Sequence, residues 1–282
     1  EYDNVLPLIQ KKQVKVNFLV TPGHGSKSDP VYVVYDKIAA ASEGQVFDVR
    51  KDALKEILLT ITQALDPKFE PLVSYNSKTA GAMTKSVEVD QSFSSVSVSL
   101  SGLNSQLSVK DSNNEDVKSS GGFSSDNIKF MTFSVTGSSY TIEASAQSAY
   151  SIRVGGISEL KFEFGFSTIH PTEQGETAVQ PLFGHENILS IFVSDHELIK
   201  CLVKAVLLPA NADDSFPEFN IPLIRLKRNF YTSNPFAIPN KMFKIRIFGY
   251  DKKGAVIDRI ISSGIESVNG GNFSLITSFK ST

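Results

Sequence analysis

Residues 86–110 read SVEVDQSFSSVSVSLSGLNSQLSVK, and apolar and polar side chains alternate through most of the stretch. An alternation of period two is typical of a half-buried β-strand, because successive side chains point to opposite faces of a sheet. The pattern predicts strands at Ser86–Asp90, Val96–Leu100 and Gln106–Lys110, with a turn at Gly102. Short strands separated by turn residues at this spacing predict an antiparallel β-sandwich.

The same texture extends on both sides of that stretch, from residue 67 to residue 168. This region is rich in Ser, Thr, Gly and Asn, and no convincing helical periodicity interrupts it. We therefore interpret residues 67–168 as one β-sandwich domain. Its further predicted strands are Phe130–Val135, Ser139–Ala144, Tyr150–Val154 and Leu160–Phe164.

Residues 169–282 continue the β pattern with longer strands. Asp251-Lys252-Lys253-Gly254 has the composition of a hairpin turn and separates the last two of them. We interpret this region as a second, Ig-like β-sandwich domain. Its best predicted strands are Ile188–Ser194, Leu202–Pro209, Pro222–Lys227, Met242–Tyr250 and Val256–Ser262.

Residues 1–66 differ from the rest because helical and strand patterns alternate there. In Lys51–Leu65, apolar residues recur at three- and four-residue intervals, as on one face of a helix. In Val14–Thr21, the pattern changes from alternating to fully apolar, as in a buried strand of an α/β sheet. The predicted elements are helices at Asn4–Gln13, Val31–Ser42 and Lys51–Leu65 and strands at Val14–Thr21 and Gln45–Val49. The fold class is therefore mixed and mainly β, with an α/β segment followed by two antiparallel sandwiches.

Charge and hydropathy exclude two classes of partner. The formal net charge of the 282-residue chain is −2, so there is no basic excess to neutralise the phosphates of nucleic acid. The longest apolar runs, Ile188–Val193 and Cys201–Pro209, are far shorter than the ~20 residues needed to cross a bilayer. The chain opens on Glu1 rather than Met, from which we expect a cut or processed start.

A search for catalytic patterns predicts that the chain is not an enzyme. The histidines do not form HExxH or another metal-binding spacing, and there is no G-x-S-x-G elbow. Cys201 is the single cysteine and stands in an apolar run, so we predict a buried strand cysteine without a disulfide. Asp195-His196-Glu197 follows an apolar strand and is interpreted as a solvent-exposed turn. The histidines are His24, His170, His185 and His196.

Two acidic loops are candidates for binding calcium, which prefers oxygen ligands. One contains Asp213 and Asp214, and the other spans Asp111–Asp116. Plain solvated turns are the competing interpretation for both, because Asp, Asn and Ser also favour turns. Asn272 begins the glycosylation sequon Asn272-Phe273-Ser274, which is compatible with secretion.

Aromatic and basic clusters leave further alternatives open. Arg225-Leu226-Lys227-Arg228 is either the exposed face of a strand or a patch for an anionic partner. The aromatic groups are interpreted as sandwich core rather than a platform for stacking sugars, and the absence of Trp weakens the sugar alternative. They are Phe162, Phe164 and Phe166 in one group and Phe230, Tyr231 and Phe236 in the other.

Several motifs follow one another in the order found in a known family. A V-x-F-L-x-T strand begins at Val16, and a K-I-A-x-x-S-x-G-Q-V-F stretch begins at Lys37. The β-rich motifs that follow are VSVSLSG from Val96, YSIRVGGIS from Tyr150, FEFGFST from Phe162 and GYDKKG from Gly249. The succession resembles hemicentins and related extracellular proteins with a von Willebrand factor A (vWA) domain. This resemblance implies that residues 1–66 are the C-terminal half of a vWA-like, doubly wound α/β domain.

A vWA domain binds a divalent cation through a DxSxS loop after its first strand. The literal match here, Asp90-Gln91-Ser92-Phe93-Ser94, follows the α/β segment and lies between two predicted β-strands. We interpret it as a chance match, so no metal ligand and no cofactor is assigned to this chain. The cation implied by the resemblance would belong to the half of the vWA domain that precedes residue 1.

The leading functional hypothesis is a non-enzymatic structural or adhesive segment of a secreted, extracellular protein. The resemblance implies matrix association, with extracellular proteins as partners or another chain that completes the vWA-like domain. The loop Pro22–Pro30 and the sandwich edges are candidate contact surfaces. The alternatives are a secreted binding module for carbohydrate or a calcium-dependent ligand, and an accessory region of a larger secreted hydrolase.

Overall fold

The computed structural model describes residues 9, 14–21, 30–42, 44–48, 54–63, 66, 68–209, 216–261 and 264–269. The chain is mainly β in this part. Several sequence predictions fall outside the described residues. They are the helix at Asn4–Gln13 apart from Ile9, most of the loop Pro22–Pro30, the calcium candidates Asp213 and Asp214, and the sequon residue Asn272.

The first described elements form a β-α-β arrangement. Strand β1 (Phe18–Val20) runs parallel to strand β2 (Val46–Asp48), and helix α1 (Pro30–Ala41) lies between them in the chain. Helix α2 (Leu54–Gln63) follows. The helices predicted after residue 30 and after residue 50 are thus confirmed, and the first strand is shorter than predicted.

The next region contains two antiparallel sheets. One has five strands and the other has three. The strands of the first sheet, in spatial order, are β3 (Phe69–Ser77), β10 (Tyr150–Ser158), β5 (Phe93–Ser101), β8 (Ile128–Ser134) and β7 (Gly121–Ser124). Those of the second are β4 (Gly81–Glu88), β9 (Ser139–Ala146) and β6 (Gln106–Lys110).

Alternation along these strands places one face of each sheet in a shared core. Val98 of β5, Ile152 of β10 and Ile142 of β9 belong to the same buried apolar cluster. The opposite face of β5 carries Ser97 and Ser99, as the period of two requires. The first sandwich therefore has the two-layer organisation that its sequence pattern predicted.

The last region has a five-stranded and a four-stranded sheet around a second core. The first sheet runs in the order β11 (Phe162–Ser167), β13 (Glu186–Val193), β17 (Phe230–Thr232) and β16 (Ile224–Lys227), with β18 (Phe236–Ala237) also paired to β13. The second runs β15 (Phe219–Pro222), β14 (Ile199–Pro209), β19 (Phe243–Asp251) and β20 (Val256–Ile260). A 3₁₀ turn spans Gln174–Glu176.

Three details correct the sequence predictions. The pair formed by β12 (Leu182–Phe183) and β21 (Val268–Asn269) is parallel, whereas an antiparallel domain was expected. The single strand predicted at Pro222–Lys227 is two strands in different sheets, because the chain changes sheet at Leu223. Cys201 lies in a strand as predicted but is only partly buried. The register of β14 against β19 is irregular on both sides of it, between Ile199 and Cys201 and between Leu202 and Lys204.

Strand β11 bears on the predicted boundary at residue 168. It precedes that boundary in the chain, and all of its ladder partners lie in β13. Its hydrogen bonds therefore group it with the strands that follow it, and the segment between β10 and β11 joins the two sandwiches.

Candidate functional site

A buried ion pair links the first sandwich to strand β20. The side chains of Arg259 and Asp90 are each 1% exposed, and Arg259 Nη2 lies 2.5 Å from Asp90 Oδ2. The same guanidinium lies over the ring of Phe93, 3.9 Å from its centroid. Charges are placed in an interior only when a partner and hydrogen bonds offset the cost of desolvation. The pair is a fully buried charged contact between the two sandwiches.

Two serines complete the hydrogen bonding of Asp90. Its Oδ1 accepts from the backbone N and the Oγ of Ser92, at 3.0 and 2.5 Å. The hydroxyls of Ser92 and Ser158 lie 2.7 Å apart. Arg259 Nη2 also donates to Ser92 Oγ at 3.1 Å. The cluster ties together the loop after β4, the end of β10 and strand β20, and we call it the ionic junction.

Gln91 extends the ionic junction to the hairpin turn after β19. Its backbone N donates to Asp251 Oδ2 at 2.9 Å, and its side-chain amide donates to the carbonyl of Leu198 at 3.0 Å. Asp251 Oδ1 accepts from the backbone N of Lys253 and Ala255, at 2.9 and 2.8 Å. The turn predicted from Asp251 to Gly254 is confirmed, and its first residue also holds the neighbouring sandwich.

Glu70 lies beside this junction on strand β3. Burial raises the pKa of its carboxyl above the usual range, while the charges of Arg259 and Lys161 oppose that rise. Its Oε1 is 3.8 Å from Lys161 Nζ. Because burial disfavours the charged form, the Glu70 carboxyl is more easily protonated than an exposed carboxyl.

A second junction, whose buried centre consists of neutral groups, joins the α/β segment to the outer face of the first sandwich. Gln45 is 3% exposed. Its Nε2 donates to the carbonyls of Ser151 and Ser99, at 3.0 and 3.3 Å, and its Oε1 accepts from Ser99 Oγ at 2.8 Å. Ser101 Oγ donates to the carbonyl of Val46 at 2.8 Å. We call this cluster the amide junction.

Arg153 reinforces the amide junction from strand β10. Its Nε and Nη2 both donate to the carbonyl of Gly44, at 3.0 and 2.5 Å, and its Nη1 donates to the carbonyl of Tyr75 at 3.1 Å. A Cβ at Gly44 would lie 1.9 Å from the carbonyl oxygen of Val16, so only glycine fits there. The Gly44-Gln45 dipeptide therefore brings the α/β segment onto the sheet.

Two clefts flank the amide junction. The first has a volume of about 70 Å³. Apolar side chains form most of its lining, and Lys15 and Arg153 also line it. The second has a volume of about 360 Å³ and lies between helix α1 and the ends of strands β3 and β10. Its lining is more polar and includes Lys37 and Lys78.

The histidines do not converge on a site within the described residues. His196 lies in the turn predicted for it, with Nε2 2.8 Å from Glu197 Oε1, and Glu197 also pairs with Lys252. In the part of the chain that the structure describes, no group of three or more His, Cys, Asp or Glu side chains could hold a metal ion. His24 lies outside the described residues.

The acidic stretch at 111–116 forms a closed turn. Asp111 Oδ1 accepts from the backbone N of Asn113 and Glu115, at 2.8 and 3.0 Å. Asn114 adopts a positive φ of 65°, which Asn tolerates better than most residues. The carboxylate that would face a cation is thus used to cap its own loop.

The aromatic groups lie in the core, as predicted. Phe166 and Tyr231 belong to the second core cluster, and Phe162, Phe164 and Phe236 pack against it. Phe230 stacks on Phe192 with centroids 4.5 Å apart. The basic run at 225–228 includes the exposed residues of β16, consistent with an exposed strand face.

Asp90 and Arg259 were not predicted as partners. The sequence contains a partial signal, because the alternation in β20 places Arg259 on the same face as the buried Ile257. A cation on an apolar face predicts a buried anion nearby but does not identify it. The DxSxS-like stretch, interpreted as a chance match to a metal loop, instead supplies that anion to Arg259.

One known family matches part of the chain. Residues 70–159 match the family described as hemicentin galactose-binding domain-like. This part of the chain is therefore similar in sequence to hemicentins.

Hemicentins are also the curated proteins to which the chain is similar. It is 25% identical to mouse hemicentin-2 over 276 residues, which cover 95% of this chain and 5% of that protein. It is 25% identical to human hemicentin-1 over 272 residues, covering 94% of this chain and 5% of that protein. The chain thus spans about 5% of the length of these relatives.

Solved structures show weaker likeness. A DUF4785 family protein from Legionella pneumophila has a TM-score of 0.41 and 10% identity, covering 73% of this chain and 66% of that one. A Bacillus licheniformis lipase in its propeptide form has a TM-score of 0.38 and 11% identity, covering 72% of this chain and 42% of that one. Among the described residues, no helix is long and apolar enough to span a membrane.

Proposed function

We propose that this chain is a non-enzymatic structural or adhesive segment of a secreted, extracellular protein. Its role is to hold an α/β segment and two β-sandwiches in a fixed order and to present their surfaces to extracellular proteins. The observation that carries the proposal is the buried Arg259–Asp90 pair between the two sandwiches. Similarity to hemicentins over nearly the whole chain supports the extracellular setting.

The segment that joins the sandwiches supports a rigid arrangement. Only residues 159–161 separate β10 from β11. The backbone N of Glu159 donates to the carbonyl of Ser92 at 3.1 Å, and that of Lys161 donates to Ser194 Oγ at 2.9 Å. A linker of this kind differs from the flexible, solvated segments that allow domains to reorient.

The use of the buried charges supports a structural role over a catalytic one. Asp90 is engaged by Arg259 and Ser92, and Asp251 by the backbone of its own turn and of Gln91. Groups that are fully engaged by fixed partners are poorly placed to transfer protons to a substrate. Binding through surface contacts needs no such reacting group.

The vWA-like interpretation of residues 1–66 belongs to the same proposal. It is supported by the parallel pair of β1 and β2, with α1 between them and α2 after them. The division at 1–66, 67–168 and 169–282 is proposed with one change: β11 (Phe162–Ser167) pairs with β13 and is counted with the last domain. The Ig-like character of that last domain is proposed as well. The divalent cation would be held by a portion outside this chain, and the partners would be extracellular proteins or a chain that completes the α/β domain.

Spin-label distance measurement tests the rigid arrangement. In a Cys201→Ala background, labels at Ser112→Cys and Glu173→Cys report the distance between the two sandwiches, because both positions are exposed. We expect one narrow distance distribution, which broadens when Arg259→Met is added and stays narrow with Arg246→Met. A broad distribution before either change would contradict the proposal.

A pull-down tests the adhesive role directly. The full-length protein and a version that lacks this segment are compared for retention of extracellular matrix proteins. We expect retention to fall when the segment is removed. Unchanged retention would leave the segment with a spacer role only and would refute adhesion.

A carbohydrate- or calcium-dependent binding module is the second candidate. It is favoured by the description of the family that matches residues 70–159, which refers to a galactose-binding domain-like fold. Titration of the chain with galactose and with calcium chloride in a calorimeter tests this candidate. The absence of both heat and a thermal shift would eliminate it.

A further inference from the structure

The hairpin formed by β16 and β17 carries the basic run Arg225-Leu226-Lys227-Arg228. Strand β16 ends at Lys227, a two-residue turn follows, and β17 begins at Phe230. All six residues at 224–229 are exposed, whereas Phe230 is 2% exposed. We call residues 224–229 the basic hairpin. Exposed turns of this kind are where proteases most often cut a folded chain.

Strand β16 is weakly held in its sheet. It is the last strand in the order of that sheet, so one of its long edges faces away from β17. Its ladder is short and has an irregular register between Arg225 and Lys227. Each of its four side chains is exposed, so lifting β16 from β17 withdraws none of them from the core. Local opening is easiest in segments with few buried apolar contacts, and β16 is such a segment.

Carbonyl oxygens accept the hydrogen bonds of two cations in the basic hairpin. Arg225 Nη2 donates to a carbonyl of the turn, and Lys227 Nζ donates to the carbonyl of Thr172, each at 2.7 Å. Two carboxylates within electrostatic range of the run, Glu176 and Glu197, are each hydrogen-bonded to another residue. Bonds from a cation to a carboxylate are stronger than bonds to a carbonyl. A partner with acidic pockets can therefore draw these side chains away from their neutral acceptors.

We propose that the basic hairpin is a processing site, cut between Arg228 and Asn229 by a serine endoprotease with acidic pockets. A protease of this kind holds its substrate extended, like an added β-strand, and reads individual side chains in separate pockets. Counted back from the bond that is cut, the first, second and fourth residues are Arg228, Lys227 and Arg225, so three pockets each receive a cation. Strand β16 already supplies extended backbone at three of these four positions.

The cleavage is a hydrolysis with water as its co-reactant. The serine of the protease attacks the carbonyl carbon of Arg228, and the bond from that carbon to the nitrogen of Asn229 breaks. The nitrogen takes a proton and leaves as an amine. Water then releases Arg228 from the serine ester as a free carboxylate, so no oxidant or reductant is needed.

The two products are expected to stay together after the cut. Residues 229–282 contain β17 and β19, which pair with β13 and β14 on the other side of the break. All three residues of β17 are buried, so the new N-terminus is anchored next to the core. Cys201 is the single cysteine of the chain, so no disulfide can link the products. They should separate only when the fold is denatured.

The pair Lys252-Lys253 provides an internal comparison, because it is also basic and also lies in a hairpin turn. Lys252 pairs with Glu197 at 2.6 Å, and β19 is held on both edges, by β14 and β20. The fourth residue back from a cut after Lys253 would be Tyr250, which carries no charge to read. We therefore expect no cut at this second turn.

Incubation of the whole folded chain with a soluble, subtilisin-like proprotein convertase tests the site. We expect one cut, with two fragments on a denaturing gel without reductant, an N-terminus at Asn229 by mass spectrometry, and a single species in native size-exclusion chromatography. A peptide of residues 220–236 serves as the unfolded substrate. An intact chain beside a cut peptide would mean that the hairpin does not open, and an uncut peptide would mean that the sequence is not recognised. Either result overturns the proposal.

Single charge removals test how the site is read. Arg228→Gln removes the cation next to the bond and should abolish the cut. Arg225→Gln removes the cation four positions back and should slow the cut about tenfold or more, the loss of one charge-assisted contact. Lys252→Gln/Lys253→Gln removes two exposed cations of the neighbouring turn and should leave the rate unchanged. Equal slowing by this control would indicate a diffuse charge effect and refute the site.

Arg259→Met separates opening of the basic hairpin from unfolding of the whole domain. It leaves the Asp90 carboxylate buried without its cation and so weakens the fold, but it does not alter the basic hairpin. If β16 opens locally, the initial rate of the cut should stay within about twofold of that of the original chain. A rate that rises in step with the lost stability would mean that the domain must unfold first, and would overturn the proposal. These readouts do not depend on the adhesive role proposed above, which the pull-down tests separately.

Discussion

The ionic junction and the amide junction both attach a neighbouring unit to the first sandwich, but they use different chemistry. Each is largely buried. The ionic junction uses full charges on Arg259 and Asp90. At the buried core of the amide junction, the Gln45 side chain bonds to backbone carbonyls and the Ser99 hydroxyl. Because desolvating a charge costs far more than desolvating an amide, the two should respond differently to the loss of a partner.

The difference suggests different roles in assembly. An ion pair buried at a single point stabilises only when both partners are present, so it favours one orientation of the sandwiches over others. The neutral groups at the centre of the amide junction tolerate partial loss, since each of their hydrogen bonds contributes about 0.5–1.5 kcal/mol. We expect the contact of the two sandwiches to be the more specific and the contact of the α/β segment to be the more adaptable.

Arg259→Met should give the largest effect, because it leaves the Asp90 carboxylate buried without its cation. We expect a loss of about 3–5 kcal/mol in the free energy of unfolding. Urea denaturation measures it. Arg246→Met is the matched control: Arg246 also pairs with a carboxylate, that of Asp258, but the two side chains are 38% and 25% exposed. Its cost should be smaller, about 1 kcal/mol, because this pair is bidentate but partly exposed.

The double variant Asp90→Leu/Arg259→Met sharpens that result. Replacing both charges with apolar groups removes the unpaired carboxylate, so most of the stability lost in the single variant should return. If the double variant were as unstable as the single one, packing rather than charge would explain the effect. The distribution of inter-sandwich distances should nevertheless broaden, because the orienting contact is gone.

Gly44→Ala should have the next largest effect, at the amide junction. The added Cβ would meet the carbonyl oxygen of Val16 at 1.9 Å, so backbone has to move. We expect a loss of about 1–3 kcal/mol. The matched control is Gly175→Ala, where the nearest atom to an added Cβ is the Glu173 Oε1 at 4.0 Å. Equal melting curves for the two variants would argue against a close contact at Gly44.

Gln45→Met removes the amide but keeps most of the side-chain volume. Ser99 Oγ loses its acceptor, and two carbonyls lose a donor. We expect a cost of about 1–2 kcal/mol, well below that of Arg259→Met. Ser97 lies on the same face of β5 as Ser99. Ser97→Ala should cost less, because the Ser97 hydroxyl makes only a long hydrogen bond of 3.4 Å to the carbonyl of Gly155. A cost for Gln45→Met equal to that for Arg259→Met would remove the distinction between the two junctions.

Glu70→Gln should give the smallest effect and one that depends on pH. Because burial raises the folded-state pKa of Glu70, the protonated form favours folding, and its contribution is lost as pH rises through that raised value. Glutamine mimics the protonated form at every pH. We expect Glu70→Gln to increase the free energy of unfolding slightly at neutral pH, and this gain to disappear below the ordinary pKa of Glu. Urea denaturation midpoints, measured from neutral pH down to that pKa, test the expectation. A destabilisation at neutral pH would mean that the attraction of Arg259 and Lys161 prevails over burial.

Strands missed by the sequence analysis have identifiable reasons. β3 contains Pro71, which argues against a strand, yet β3 lies at the edge of its sheet where the missing N–H is tolerated. β7 is four residues long and begins with two glycines, so it has no alternation to detect. Both belong to a sheet whose inner strand β5 was predicted from its alternation alone.

Local pattern determined most of the longer strands, the two later helices and the turn at Asp251, because alternation, helical periodicity and turn composition act over a few neighbouring residues. Only the tertiary structure decided which polar residues become interior. Arg259 and Asp90 lie 169 positions apart, and Gln45 and Ser99 lie 54 apart. A serine facing outwards from β5 looks solvated in sequence and becomes buried only when another unit covers it. Desolvation depends on what packs there, and no local window of sequence contains that information.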